Sequence, residues 1–170
     1  MAVQKVALIT GASRGIGAEI AKLFAENGYA VCINYVSNDT AADQVKHEIT
    51  QRGGKCILVK ADVSVECDVS RLFETVDAEL GGISVLVNNA AILKQQSRME
   101  DISAKRFAEV LRTNVMSCFL CSKEAVKRMS TKHGGMGGAI VNVSSAAAKT
   151  GSPNEYVDYA ASKGAVDTLT

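Results

Sequence analysis

The sequence has a single proline and no low-complexity tract, which excludes disorder as its dominant state. It has no apolar run of the roughly 18 residues that a membrane-spanning helix needs. Its first residues pass directly into a strand-like run, without the charged segment, apolar segment and cleavage site of a secretory signal. We therefore expect a cytoplasmic protein that has no membrane as a partner.

The sequence also lacks an excess of positive or negative side chains. Lysine and arginine total 19 against 18 aspartates and glutamates, so the formal net charge is +1. Nucleic-acid binders and proteins of anionic membrane surfaces typically carry a basic excess, so we expect neither partner. The length of 170 residues predicts one domain over 1–170. A chain of this size hides roughly 70% of its unfolded surface, so it needs no disulfide or metal to fold.

The five cysteines are odd in number and scattered, which indicates reduced thiols. Cys118 and Cys121 have C-x-x-C spacing, but they lie in an apolar stretch with no second pair and no nearby histidine. We therefore expect them to pack inside a helix and predict no metal site.

Short β-branched runs alternate with longer helical patterns along the whole chain. Strands are predicted at 5–10, 30–35, 56–60, 83–88 and 139–144, with a glycine-rich loop at 134–138. Helices are predicted at about 16–27, 39–52, 66–80, 103–131 and 156–170. This alternation is typical of parallel βαβ units. Right-handed crossovers then give an α/β fold, a doubly wound Rossmann-type sheet with helices on both faces.

A glycine-rich segment, 10–17, joins the first predicted strand to the first helix. Its glycines, Gly11, Gly15 and Gly17, allow a tight turn and a close approach of the backbone to a pyrophosphate. The helix that follows offers free N–H groups and a partial positive charge to an anion. The spacing matches neither G-x-G-x-x-G nor a Walker A loop. An ordinary strand–helix turn is the alternative.

The second strand ends at Tyr35, where NAD-selective proteins carry an acid that binds a ribose 2′-hydroxyl. Arg14 lies in the glycine loop, and a guanidinium suits a 2′-phosphate. We therefore favour NADP(H) over NAD(H). A solvated Arg14 is the alternative, and the nearby Asp39 leaves NAD(H) open.

Tyr159 and Lys163 are four residues apart and so face the same way on a helix. A nearby ammonium favours phenolate over phenol, which suits a tyrosine to general acid–base catalysis. Such pairs also occur on solvated helix surfaces. Ser145 closes the fifth strand, where α/β sheets bind ligands, although capping serines are common there. Asn114 lies in an apolar helix and is either functional or a satisfied core amide.

These residues together resemble the short-chain dehydrogenase/reductase family in its single-domain branch, most closely its bacterial sugar dehydrogenases and oxoacyl reductases. The segment 10–17 is similar to that family's T-G-x-x-x-G-I-G loop, and 88–91 is similar to N-N-A-G. Asn114, Ser145, Tyr159 and Lys163 match its Asn-Ser-Tyr-Lys set in order.

The resemblance implies an NAD(P)(H)-dependent oxidoreductase that interconverts a carbonyl and an alcohol of a small molecule. Tyr159 would be the acid/base, and Lys163 would assist it and hold the nicotinamide ribose. Ser145 would orient the reacting oxygen, and Asn114 would hold a water in the proton path. The cofactor would contact Thr10, Gly11, Ser13, Arg14, Gly15, Ile16, Gly17, Tyr35, Asp62, Val63, Asn88, Ala90, Tyr159 and Lys163. The family also implies a homo-oligomer, a dimer or a tetramer.

Two features depart from the family pattern. Ala91 replaces a glycine, and its methyl either crowds the cofactor ribose or is accommodated at a negative φ. Family members are also longer, so we expect the C-terminal strands of the usual fold to be missing here. The fifth strand would then lie at a sheet edge, a liability for aggregation that favours self-association. A truncated, non-catalytic nucleotide-binding fragment is the alternative function, and a methyltransferase-like nucleotide binder is a weaker one.

Overall fold

Five short apolar segments form one parallel sheet. The computed structural model describes residues 4–170. The strands run in the order β3-β2-β1-β4-β5, with β1 in the centre. They are β1 (Val6–Ile9), β2 (Ala30–Tyr35), β3 (Cys56–Lys60), β4 (Val85–Asn88) and β5 (Ala139–Asn142). This order confirms the predicted doubly wound sheet and puts a switch in direction between β1 and β4.

Alternate residues of the central strands supply two cores, one on each face of the sheet. Val6 and Leu8 of β1 pack on one face with Phe73 and Leu120. Ala7 and Ile9 pack on the other face. Both faces of β1 are thus covered, which explains why the strand is apolar throughout.

Helices fill the connections between the strands. They are α1 (Gly15–Glu26), α2 (Asp39–Gln51), α3 (Glu66–Glu79), α4 (Ala104–Leu111), α5 (Ser117–Met129), α6 (Ala147–Thr150) and α7 (Val157–Leu169). Short 3₁₀ turns lie at Met99–Asp101 and Thr131–His133. Within residues 4–170, none of these helices combines the length and apolar composition that a membrane crossing needs.

Two local features differ from the predicted elements. The helix predicted at 103–131 contains a π-helical turn, Arg112–Met116, between α4 and α5. Its central residue, Asn114, bonds to neighbours outside the helix, and such turns mark places where the regular ladder is interrupted. The short helix α6 was not predicted, because four residues are too few to show a helical period.

The C-x-x-C cysteines are buried, as predicted. Cys118 and Cys121 expose 4% and 0% of their surface. Burial raises the pKa of the Cys121 thiol to about 12, so this sulfur stays protonated at neutral pH. Cys121 packs in the core on one face of the sheet, and the Cys118 Sγ lies 3.3 Å from the Asn142 Oδ1 of β5.

Strand β5 lies at one edge of the sheet, as predicted. Its neighbour β4 pairs with it from Val85↔Ala139 to Asn88↔Asn142. Val141 of β5 is 49% exposed, in contrast to the buried residues of β1. The self-association expected from such an edge stays a prediction.

Candidate active site

A cleft lies at the carboxyl ends of β1, β2 and β4, beside the switch in strand order. Its volume is about 620 Å³, within the range of small-molecule sites. It is lined by Gly11, Ser13, Arg14, Gly15, Ile16, Tyr35, Val36, Ser37, Asn38, Asn89, Ala90, Ala91, Ile92 and Thr113. Most of the predicted glycine-loop residues therefore line one cavity.

The glycine loop packs too tightly against the segment after β4 to admit side chains. Gly11 has φ +62°, and a Cβ there would lie 2.9 Å from the Ala90 Cα. A Cβ on Gly17 would lie 2.5 Å from the Asn89 Nδ2. Asn89 in turn donates from Nδ2 to the carbonyls of Thr10 (2.9 Å) and Gly11 (3.1 Å). These contacts explain why the loop needs glycine at both positions.

Thr10 acts inside the scaffold of this loop. Its side chain is buried, and Oγ1 accepts the N–H groups of Asn89 and Ala90 at 3.0 Å each. These bonds join β1 to the segment after β4. The predicted contact of Thr10 with a cofactor stays a prediction.

Asn34 is a site residue that the sequence analysis missed. It lies within β2 and is 1% exposed. Its Oδ1 accepts the Gly11 N–H at 3.3 Å, and its Nδ2 donates to the Ala61 carbonyl at 2.9 Å. A polar amide in the middle of an apolar strand was the signal that could have revealed it.

The first turn of α1 is open to an anion. Its N-cap residue, Arg14, is extended and makes no side-chain cap hydrogen bond. The first N–H groups of the helix thus have no side-chain acceptor at the point where Gly15 and Ile16 line the cleft. Together with the helix dipole and the guanidinium, they suit a phosphate group.

Ala91 also lines the cleft. Across residues 4–170, the non-glycine residues with positive φ are Ser152 and Asn154. The backbone at Ala91 is therefore one that an alanine adopts without strain.

The end of β2 carries an ionic cluster beside the cleft. The Tyr35 hydroxyl donates to the Asp39 Oδ1 at 2.8 Å, and the Lys60 Nζ lies 2.9 and 3.1 Å from the two Asp39 oxygens. The hydrogen bond from Lys60, and then that from Tyr35, lowers the pKa of the Asp39 carboxyl. The hydrogen bond to Asp39 raises the pKa of the Tyr35 hydroxyl.

Asp62 and Val63 lie beyond the end of β3. The Asp62 Oδ1 accepts from the Ser64 N–H (2.9 Å) and hydroxyl (2.7 Å), and Val63 is buried in the core. Neither belongs to the lining of the cleft. Their contact with a cofactor stays a prediction.

Tyr159 and Lys163 are neighbours on α7, as their spacing predicts. The Lys163 Nζ lies 5.7 Å from the centroid of the Tyr159 ring. Lys163 is only 3% exposed, and its Nζ donates to the Val143 carbonyl at 2.6 Å. Burial lowers the pKa of the Lys163 ammonium, and the neighbouring Cys118 and Asp167 only partly offset this effect.

Asn114 ties α7 to the cleft. Its Oδ1 accepts the Ile92 N–H at 2.8 Å, and its Nδ2 donates to the Ile92 carbonyl at 3.1 Å. The same Nδ2 donates to the Ser162 Oγ at 2.9 Å, and Ser162 donates to the Tyr159 carbonyl at 2.6 Å. Ser162, fully buried, was missed because its task depends on two helices meeting.

Ser145 and Asn88 have internal partners in this structure. The Ser145 Oγ accepts the Ala147 N–H at 3.2 Å, just after β5. The Asn88 Nδ2 donates to Ser122 (3.0 Å) and to Asn142 (2.9 Å). Ser145, Tyr159 and Lys163 are not among the residues that line the cleft. Hydrogen bonds from Ile92 to Asn114 and from Asn114 to Ser162 join the turn of α7 that carries Tyr159 to the cleft.

An ion pair that the sequence analysis also missed lies next to Tyr159. The Arg106 Nε donates to the Asp158 Oδ2 at 2.7 Å, and a second guanidinium nitrogen reaches Oδ1 at 3.3 Å. Asp158 is 1% exposed and accepts the Tyr159 N–H at 2.9 Å. Burial opposes ionisation of Asp158, but the Arg106 and Tyr159 hydrogen bonds outweigh it and lower its pKa. The pair joins α4 to the first turn of α7.

The fold and the helix-borne tyrosine and lysine define a class of dinucleotide-binding α/β proteins. A family model described as short chain dehydrogenase matches residues 5–170. The chain belongs to the short-chain dehydrogenase family.

Several relatives are similar over nearly the whole chain. "Uncharacterized oxidoreductase YgfF" of Escherichia coli is 54% identical over 165 residues, 97% of this chain and 67% of that protein. "3-oxoacyl-[acyl-carrier-protein] reductase FabG" of Staphylococcus aureus is 35% identical over 170 residues, 100% of this chain and 67% of that protein. A mutant short-chain dehydrogenase/reductase from Serratia marcescens has a TM-score of 0.90 at 32% identity, covering 99% of this chain and 66% of that one. The chain thus spans about two thirds of the length of these relatives.

Proposed function

We propose that this chain carries the cofactor cleft and catalytic residues of an oxidoreductase that interconverts a carbonyl and an alcohol. The observation that carries the proposal is the buried Lys163 ammonium, 5.7 Å from the Tyr159 ring. Helix α7, which carries both residues, is joined through Asn114 to Ile92, and Ile92 lines the cleft. The reductase name of the Staphylococcus relative supports a carbonyl compound as the substrate class.

The residues present fit a nicotinamide dinucleotide. Side chains in place of Gly11 and Gly17 would collide with Ala90 and Asn89 and push the loop out of its tight turn. The first turn of α1 offers N–H groups that no side chain caps. These groups, with Arg14, would hold the phosphates. The nicotinamide would supply or accept the hydride, and the protein supplies position and electrostatics.

The proton transfer falls to the chain's own side chains. Tyr159 would give a proton to the carbonyl oxygen in reduction and take one from the alcohol in oxidation. The Lys163 ammonium, held by the Val143 carbonyl, lies beside the Tyr159 ring, where it would assist the proton transfer. Ser145 would orient the reacting oxygen, and Asn114 would keep α7 in place beside the cleft.

We further propose a preference for NADP(H) over NAD(H). Arg14 lines the cleft, and Tyr35 stands where an acid would bind a ribose 2′-hydroxyl. Fluorescence titration of the chain with NADPH and with NADH tests this preference. Tighter binding of NADH would overturn it.

The acid/base assignment is tested with Tyr159→Phe, which removes only the hydroxyl. We expect loss of turnover in a screen of carbonyl compounds, with NADPH binding nearly intact. Tyr156→Phe is the matched control, because its partner four residues on is Ala160 and it has no lysine there. Equal turnover in Tyr159→Phe and the unmodified chain would contradict the assignment. NADPH binding without any turnover by the unmodified chain would favour the non-catalytic nucleotide-binding alternative.

A further inference from the structure

Asp39 is the one carboxylate in the segment 36–39 that follows β2. A carboxylate at the end of this strand has two opposite effects on a dinucleotide. It accepts hydrogen bonds from the ribose hydroxyls of NAD(H), and it repels the 2′-phosphate of NADP(H). Which effect applies depends on what the carboxylate already binds.

In this structure the Asp39 carboxylate is engaged on both oxygens. Lys60 lies within 3.1 Å of each oxygen, and the Tyr35 hydroxyl donates to Oδ1. The sheet register explains the contact, because Tyr35 and Lys60 are direct partners across β2 and β3. Ser37 and Asn38 line the cleft, whereas Asp39 does not.

We propose that Lys60 is a specificity-determining residue for the cofactor: it neutralises Asp39 and holds it to the sheet, so that the end of β2 accepts a phosphate-bearing ribose. This inference rests on the proposed preference for NADP(H). Lys60 does not have to touch the cofactor for this effect. It acts by neutralising a carboxylate beside the cleft that would otherwise repel the phosphate.

A purely structural surface ion pair would behave differently. It would change the binding of NADPH and NADH alike, since both need the same cleft. The dissociation constants of the two cofactors would then not depend on whether residue 39 carries a charge, provided that the chain is folded. The comparison of two cofactors and of a single with a double variant therefore separates the two explanations.

The experiment measures dissociation constants of NADPH and NADH for the chain, for Lys60→Gln, and for Lys60→Gln combined with Asp39→Asn. For Lys60→Gln we expect NADPH to bind about threefold more weakly and NADH to change little, the size expected of an exposed charge pair. The double variant should regain the NADPH affinity of the unmodified chain. High salt should shrink the Lys60→Gln effect, because exposed charges are screened.

Lys123→Gln is the matched control. Lys123 forms an exposed ion pair with Glu66 at the same 2.9 Å distance, and its loss changes the net charge equally. We expect it to leave the ratio of the two constants unchanged. Circular dichroism of each variant checks that the fold is retained.

Two results would overturn the inference. One is an equal weakening of NADPH and NADH in Lys60→Gln, and the other is a double variant that does not recover. Failure of the proposed function has a different signature. If the unmodified chain binds NADH as well as NADPH, the cofactor preference itself is wrong, whatever Lys60→Gln does.

Discussion

Replacing Arg106 with Gln is expected to destabilise the chain at the turn that carries Tyr159. The change leaves the Asp158 carboxylate, 1% exposed, without its cation. Removing one partner of a fully buried ion pair costs about 3–5 kcal/mol. Arg106 is 19% exposed, so water offsets part of that cost, and we expect a loss of about 2 kcal/mol in the free energy of unfolding.

The loss depends on pH in a definite direction. The pKa of Asp158 is lowered in the folded chain, so its contribution to stability is present above the unfolded pKa of about 3.9. It is lost as the pH falls through the lowered folded value. The difference between the unmodified chain and Arg106→Gln should therefore be constant at neutral pH and shrink below about pH 4.

Urea unfolding at a series of pH values measures both effects. Arg52→Gln is the matched control, because Arg52 pairs with Glu26 with both side chains well exposed, and such pairs contribute about 0–1 kcal/mol. A loss in Arg106→Gln no larger than in this control would refute the assignment of a buried pair. So would a loss that is the same at pH 3 as at pH 7.

Two further substitutions test the scaffold of the cleft by urea unfolding. Asn114→Ala should lower the free energy of unfolding by about 2–4 kcal/mol, because the N–H and carbonyl of Ile92 lose their partner inside the protein. A loss under about 0.5 kcal/mol would show that water replaces the amide. Gly17→Ala should cost about 1–3 kcal/mol and weaken NADPH binding, because the new methyl would lie 2.5 Å from the Asn89 amide nitrogen. Gly82→Ala, where a Cβ meets nothing within 4 Å, is its control, and equal behaviour of the two would contradict the close approach.

The residues proposed for cofactor binding and catalysis are of two kinds, those within short sequence motifs and those joined only by tertiary contacts. The glycine loop and the Tyr159–Lys163 pair follow from short sequence spacings. The contact of Lys60 with Asp39 and the hydrogen bond of Asn114 to Ser162 join residues that are 21 and 48 positions apart. Variants at the second group therefore test tertiary contacts that no motif contains.

The sequence by itself determined the alternation of strands and helices and the doubly wound sheet. It also determined that Tyr159 and Lys163 face the same way. These features depend on local periodicity, on the spacing of apolar residues and on glycine placement, all of which act over a few residues. The π-helical turn at 112–116 breaks such a period and was therefore not predicted.

Only the tertiary structure decided which polar groups meet. It placed Asn34 under the glycine loop, Arg106 on Asp158, and Lys60 on Asp39. The physical reason is that a buried or paired polar group is defined by its partner, and the partner is brought near by strand register and helix packing. Sequence spacing carries no information on that encounter, since the partners belong to different elements of the fold.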